Sequence, residues 1–151
     1  MKISLACDHG GLQLKTFVKD YLLQQGHDVV DCGTNSLDSC DYPDFGIAVA
    51  EQVADGGAER GIVICTTGIG ISIAANKVKG IRCSLCGDLK SAEMTRRHND
   101  ANVLAMGAAI IPLSLALEIT DVWMNTPFEG GRHARRVDKI NAYDASREER
   151  K

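Results

Sequence analysis

The class this sequence predicts is an α/β three-layer sandwich, one five-stranded parallel sheet with helices on both faces. Three observations predict it. Short aliphatic runs alternate with amphipathic stretches of helical period, the order that a parallel sheet and its crossover helices produce. The run Gly61-Ile62-Val63-Ile64-Cys65 is apolar throughout, as a strand buried on both faces must be. The 151 residues suffice for one full core and leave little room for a second, so a single domain over residues 1–151 is expected.

The first strand is read at Ile3–Cys7. Leu14, Phe17, Val18, Tyr21 and Leu22 then recur at helical spacing, and Gly26 stands where that helix would stop. A second strand at Asp28–Asp31 precedes a helix from about Asp44 to Asp55. Pro43 lies before that helix, Phe45, Val49 and Val53 share one face, and Gly56-Gly57 ends it. The third strand is Gly61–Cys65, with a helix starting after Gly68 or Gly70. Strand four is expected at Ile81–Leu85. Asp88 would cap a helix reaching His98, whose Arg96-Arg97-His98 end suits the negative pole of the helix dipole. Val103–Met106 is the last strand, and Leu115, Ile119, Val122 and Trp123 mark the helix after it. Past Pro127, Gly130-Gly131 turns the chain into a basic helix from about Arg132 and a polar tail. Five strands give a sheet of flavodoxin-like size. No internal repeat, linker or low-complexity segment interrupts it.

Composition removes several function classes. With 20 acidic against 17 basic residues and 5% aromatics, the chain lacks the basic footprint and stacking residues of a nucleic-acid binder. No apolar run approaches the ~18 residues needed to span a bilayer, and no basic segment precedes an apolar stretch at the N-terminus. A soluble, cytoplasmic protein is expected. The six cysteines are therefore read as reduced thiols. Cys83-Ser84-Leu85-Cys86 has metal-like spacing but falls in a strand region with no second pair, so both are read as small core hydrophobes.

The chemistry is expected at the carboxyl ends of the strands, where open α/β sheets bind ligands. Cys65 ends one strand, and Thr66, Thr67, Gly68, Ile69 and Gly70 carry the chain into a helix. Free backbone N–H groups and the helix dipole there favour an anion. A thiolate could abstract a proton from carbon while neighbouring N–H groups hold the oxyanion that develops. A core cysteine above a tight glycine turn would read the same way. Asp8 and His9 place an acid and an imidazole at the turn after the first strand on the same sheet edge, as polar chemistry of a site or as a helix cap beside an exposed imidazole. His98 and Asn99 precede the last strand, where a histidine can titrate near neutrality or simply cap a helix. Arg132 and Arg136 are four apart and could clamp a phosphate from one helical face, or form a solvated basic face.

Taken together, several blocks resemble ribose-5-phosphate isomerase B within the wider sugar-phosphate isomerase family. They are Cys7-Asp8-His9-Gly10-Gly11, Asp41-Tyr42-Pro43, Gly70-Ile71-Ser72-Ile73-Ala74-Ala75-Asn76-Lys77, Gly80-Ile81-Arg82, His98-Asn99-Asp100-Ala101-Asn102 and Glu129-Gly130-Gly131-Arg132-His133. The likeness runs in order over about residues 1–143. It implies an aldose-ketose isomerase acting on ribose 5-phosphate and ribulose 5-phosphate, with no metal or organic cofactor, and dimers, singly or paired into tetramers, whose sites lie between subunits. Carried over by position, Cys65 is the base that moves a proton between C1 and C2, and His98 assists ring opening. Thr67 and the backbone from Thr66 to Gly70 hold the reacting oxygens, and Asp8 holds sugar hydroxyls. His9, Arg132 and Arg136 serve the phosphate, while Tyr42 and Asn99 line the pocket.

Two departures bear on the substrate. The family commonly has glycine where this chain has Thr66, so a β-branched side chain enters the oxyanion turn and restricts it. An arginine that many members place shortly after Gly107 is replaced by Ala108 and Ala109, removing a charge-assisted phosphate contact worth about 1.5 to 3 kcal/mol. A related hexose 6-phosphate, such as allose 6-phosphate, is thus the alternative substrate. A non-catalytic sugar-phosphate sensor on the same fold is the alternative class.

Overall fold

The computed structural model describes residues 1–147. Five strands, β1 (Lys2–Cys7), β2 (Asp28–Asp31), β3 (Arg60–Cys65), β4 (Cys83–Leu85) and β5 (Val103–Gly107), form one parallel sheet in the order β2-β1-β3-β5-β4. Six α-helices connect and cover it: α1 (Leu12–Gln24), α2 (Tyr42–Ala54), α3 (Ile69–Ala75), α4 (Leu89–Asn99), α5 (Leu113–Asn125) and α6 (Arg132–Ala145). The expected α/β sandwich is present. Relative to the flavodoxin order its last two strands are exchanged. Burial explains the exchange: all five residues of β5 are buried, whereas β4 has only three residues, none fully buried, which suits an edge.

Alternation along the strands sorts two cores. Ile3, Leu5, Cys7, Ile62, Ile64, Leu104 and Met106 face α1, α4 and α5, where Val18, Leu22, Ile119 and Trp123 meet them. Ala6, Val63, Cys65, Val103 and Ala105 face α2 and α3, against Val49, Ala50, Ile71 and Ala75. Ile62 and Ile64 are fully buried, and each contributes about 1.5 to 3 kcal/mol. Because α1 covers one face and α3 the other, the chain leaves β1 and β3 in opposite directions. The crevice between these two strands is the switch point of the sheet.

Local chemistry sets the element ends. Asp88 Oδ1 accepts the Ser91 N–H at 2.7 Å and starts α4. Gly26, with φ of 82°, follows α1 in the left-handed conformation. Two element starts differ from expectation by two residues. Helix α2 begins at Tyr42 and takes Pro43 into its first turn, where proline has no donor to lose. Strand β4 begins at Cys83 rather than Ile81, because the Ile81 N–H bonds Val78 O and the Arg82 N–H bonds Asn102 Oδ1, outside the ladder.

On α1 the apolar face is Leu14, Val18 and Leu22, while Phe17 is 43% exposed and Lys15 is buried in its place. The Lys15 ammonium donates to Asp31 Oδ1 at 2.8 Å, Thr34 O at 2.7 Å and Asn35 Oδ1 at 2.9 Å. All three ammonium hydrogens thereby find acceptors, as a buried charge requires. This pins the loop after β2 beside the end of β1. The expected basic helix is α6; Ser146 and Arg147 follow, and the rest of the expected tail, residues 148–151, lies outside the described residues. Among the described residues no helix is long and apolar enough to cross a membrane.

Candidate active site

The ends of β1 and β3 lie side by side, Cys7 opposite Ile64, and Cys65 pairs with Gly107 of β5. Asp8 leaves β1 here, buried, with its Oδ1 accepting the Gly10 N–H at 2.9 Å. One carboxylate oxygen thus caps the turn, and the other takes no part in that bond. His9 is half-buried, and its Nδ1 accepts the Cys40 N–H at 3.2 Å. That bond places the proton of a neutral imidazole on Nε2, as a donor suited to phosphate or hydroxyl oxygen.

Cys65 is 5% exposed on the α3 side of the sheet, and its Sγ accepts the Gly68 N–H at 3.1 Å. Gly68 has φ of 75°, and a Cβ there would lie 2.7 Å from the Met106 carbonyl carbon. Only glycine turns the chain so tightly above the sheet. Thr67 Oγ1 accepts the Ile69 N–H at 3.3 Å, so two of the first donors of α3 are taken and that of Gly70 comes next. A Cβ on Gly70 would lie 2.6 Å from Tyr42 Cζ. The missing side chain at Gly70 is what lets the Tyr42 ring cover the turn. Thr66 is exposed, and its Oγ1 fills the space that a Cβ on Gly10 would need. The threonine that departs from the family pattern is therefore seated against a residue without a side chain.

The remaining predicted residues stand elsewhere. Helix α4 runs back from the carboxyl edge, so His98 and Asn99 lie near the start of β5, where the Asn102 carbonyl accepts the Gly61 N–H. Gly61 to Cys65 spans roughly 13 Å of strand. One chain therefore places the candidate residues in two groups at opposite ends of its sheet: Asp8, His9, Tyr42 and Cys65 to Gly70 at one, His98, Asn99, Arg132 and Arg136 at the other.

The second group is built on α4 and α6. His98 stacks on His133 with centroids 4.1 Å apart and planes 9° from parallel. Arg132 and Arg136, both exposed, flank that ring one helical turn apart. Burial, then the charges of His98 and Arg132, push the His133 pKa below the usual histidine range, against the pull of Glu129. The hydrogen bond from Arg97 holds the Glu129 carboxyl below its ordinary value. One ligand-type atom from each of His98, Glu129 and His133 lies within 4.8 Å of the others, but the parallel stacking of the two imidazoles keeps their in-plane lone pairs from meeting on one ion.

Sequence reasoning missed the residues that fix this end. Arg82 donates to Asn99 O at 3.0 Å and Asp100 O at 2.9 Å. Arg96, buried, donates to Asp100 Oδ1 at 2.8 Å and Ala101 O at 2.6 Å. Together they hold Asp100 in a left-handed conformation, φ 46°, and so set the end of α4 that carries His98. The signal was the pairing of these arginines with Asp100, which sequence spacing shows only for Arg96.

All six cysteines are free. Burial raises the Cys7 and Cys83 pKa values to about 12 and that of Cys86 to about 11. These three thiols stay protonated near neutrality, in line with a packing role.

Residues 3–140 match the model of the ribose/galactose isomerase family. The chain belongs to that family. Among family members, ribose-5-phosphate isomerase B of Escherichia coli is 47% identical over 146 residues, 97% of this chain and 98% of the relative. The structure of Clostridium thermocellum ribose-5-phosphate isomerase B superposes with a TM-score of 0.95 at 53% identity, covering 97% of this chain and 99% of that one. Ribose-5-phosphate isomerase B from Mycoplasma genitalium with bound ribulose-5-phosphate gives 0.92 at 42% identity, covering 95% and 96%.

Proposed function

We propose that this protein interconverts ribose 5-phosphate and ribulose 5-phosphate as a cytoplasmic homodimer, alone or paired into a tetramer, in which each active site joins the two half-sites of different copies. The observation that carries this reading is the separation of Cys65 from His98 within one chain. A two-fold axis lets the Cys65 end of one copy meet the His98 end of the other, and the reverse.

His98 of the second copy gives a proton to the ring oxygen as the C1 hydroxyl loses one, opening the furanose. Cys65 then takes the proton from C2, and the bond pair moves into an enediolate between C1 and C2. The Gly70 N–H and the Thr67 hydroxyl face the oxygens as charge builds on them. The 2-hydroxyl gives up its proton as O1 gains one, and return of the carbon proton to C1 then completes the ketose, with no net change in electron count, so no redox cofactor is needed. Asp8 holds sugar hydroxyls, and His9, Arg132 and Arg136 bind the phosphate. Tyr42 and Asn99 close the pocket.

Incubation with ribose 5-phosphate in deuterated water should place label at the carbon that exchanges its proton. Conversion and exchange should vanish in Cys65→Ala; activity surviving there would remove Cys65 from the role of base. Tight binding with neither conversion nor exchange would favour a sensor. A hexose 6-phosphate remains the second reading, favoured by an open cavity of about 350 Å³ that Ala108 and Ala109 line beside Gly10, Gln13 and Phe17. The ratio of kcat/KM on ribose 5-phosphate and allose 6-phosphate decides between them.

A further inference from the structure

Lys15 stands in the first turn of α1, at the Cys65 end of the sheet, and is 1% exposed. A lysine at such an edge could serve as a point charge for phosphate. Here its three hydrogens are spent on Asp31 Oδ1, Thr34 O and Asn35 Oδ1, so it has none left for a ligand. What it grips is the root of residues 32–41, the loop that joins β2 to α2. The Cys7 N–H donates to Gly33 O and the Thr34 N–H to Cys7 O, each at 2.7 Å, which ties that root to the end of β1. Asp31 Oδ1, Thr34 Oγ1 and Ser36 Oγ accept the N–H groups of Gly33, Ser36 and Asp38 at 3.0, 3.4 and 3.0 Å. Each bond spans two residues and fixes a turn that the exposed chain from Asn35 to Ser39 would not keep unaided. The loop then closes on His9, where the Cys40 N–H meets Nδ1 at 3.2 Å. A backbone N–H can only donate, so this bond needs the lone pair of Nδ1.

We propose that Cys40 is a positioning residue for phosphate binding, acting through its backbone N–H on His9, and that Lys15 and Ser36 hold Cys40 in place without reaching the ligand. This role depends on the phosphate contact proposed above for His9. An imidazole free to turn and to exchange tautomers spends part of its time with Nε2 unprotonated or aimed elsewhere. The loop removes those states before the substrate arrives, so less ordering is left to oppose binding. Proton transfer at Cys65 takes no part in this. Loss of the contact therefore belongs in KM, with kcat kept.

Inorganic phosphate, used as a competitive inhibitor, reads the contact without the chemistry. Cys40→Pro deletes the N–H and should raise the phosphate inhibition constant and KM for ribose 5-phosphate about two- to tenfold, the worth of one hydrogen bond, with kcat nearly unchanged. Cys40→Ala loses the thiol, keeps the N–H and should rescue both constants. Ser36→Ala should shift them the same way by less, and Ser36→Thr should restore them. With ring-¹⁵N histidine, the His9 signals, identified by their absence in His9→Ala, should show the proton wholly on Nε2 in wild type and divided between the two nitrogens in Cys40→Pro. Wild-type constants or an unchanged His9 ring in Cys40→Pro, or Cys40→Ala as impaired as Cys40→Pro, would overturn this role. If Cys40→Pro does not fold, wild-type constants in Ser36→Ala overturn it instead. His9→Ala that binds phosphate as wild type does would refute the phosphate contact of His9, and the role of Cys40 with it. A weakened His9→Ala beside an unmoved Cys40→Pro would refute the loop alone.

Discussion

Cys65→Ala and His98→Ala should each be nearly inactive, and the two mixed together should not. Each removes an acid-base group whose contribution is typically 10²- to 10⁴-fold in rate. Within one chain these groups sit at opposite ends of strands that span roughly 13 Å from Gly61 to Cys65, so in the proposed two-fold dimer each site would draw on both copies. When equimolar variants are unfolded together and refolded, about half of the dimers are mixed. In a mixed dimer one site receives both alanines, and the other receives Cys65 from one copy and His98 from the other. The mixture should therefore regain about a quarter of wild-type activity per chain. Wild type refolded with an equal amount of the double variant gives the complementary test. Its mixed dimers contain no intact site, so activity should fall to about a quarter of the all-wild-type value rather than to half. Initial rates of ribulose 5-phosphate formation are the assay, with native mass spectrometry to count mixed dimers. Mixed dimers with no recovered activity, or a wild-type mixture retaining half, would refute a site shared between copies.

Gly10→Ala should cost about 1 to 3 kcal/mol through overpacking against Thr66, and Thr66→Gly in the same chain should restore most of that loss; a denaturant double-mutant cycle showing additive effects would contradict the contact. Lys15→Met should destabilise the fold by about 3 to 5 kcal/mol, because it leaves Asp31 short of its main partner. Burial raises the Asp31 pKa, but hydrogen bonds from Lys15, Lys19 and the Gly33 N–H outweigh this and hold it below the usual carboxylate value. A depressed folded-state pKa contributes stability above the unfolded carboxylate value, near 3.9, and that stability fades as pH falls through the folded one. The acid limb of wild-type stability should accordingly be steeper than that of Lys15→Met in urea melts taken across this range. Arg136→Ala should raise KM about ten- to a hundredfold, the loss of one charge-assisted phosphate contact, with a smaller change in kcat.

The strands and helices were legible because periodicity and caps agree locally. Asp88 bonds the third residue after it as a helix cap should, and the apolar run to Cys65 is buried on both faces. The position of β5 was not legible, since sequence shows that a run is buried but not which strands flank it. Lys15 was a missed signal: it falls three and seven residues before Val18 and Leu22, in the buried row, where a lysine demands oxygen partners. Candidate site residues stood out one by one through their chemistry, whereas their division between two ends of the sheet follows from the direction of α4. A helix after a parallel strand returns to the opposite edge, so His98 at the end of α4 cannot share an edge with Cys65.

The contact between Thr66 and Gly10 also couples two positions that lie far apart in the sequence. While threonine stands at 66, any side chain at 10 carries a packing cost, and glycine at 66 would remove it. The residue tolerated at either position therefore depends on the residue at the other.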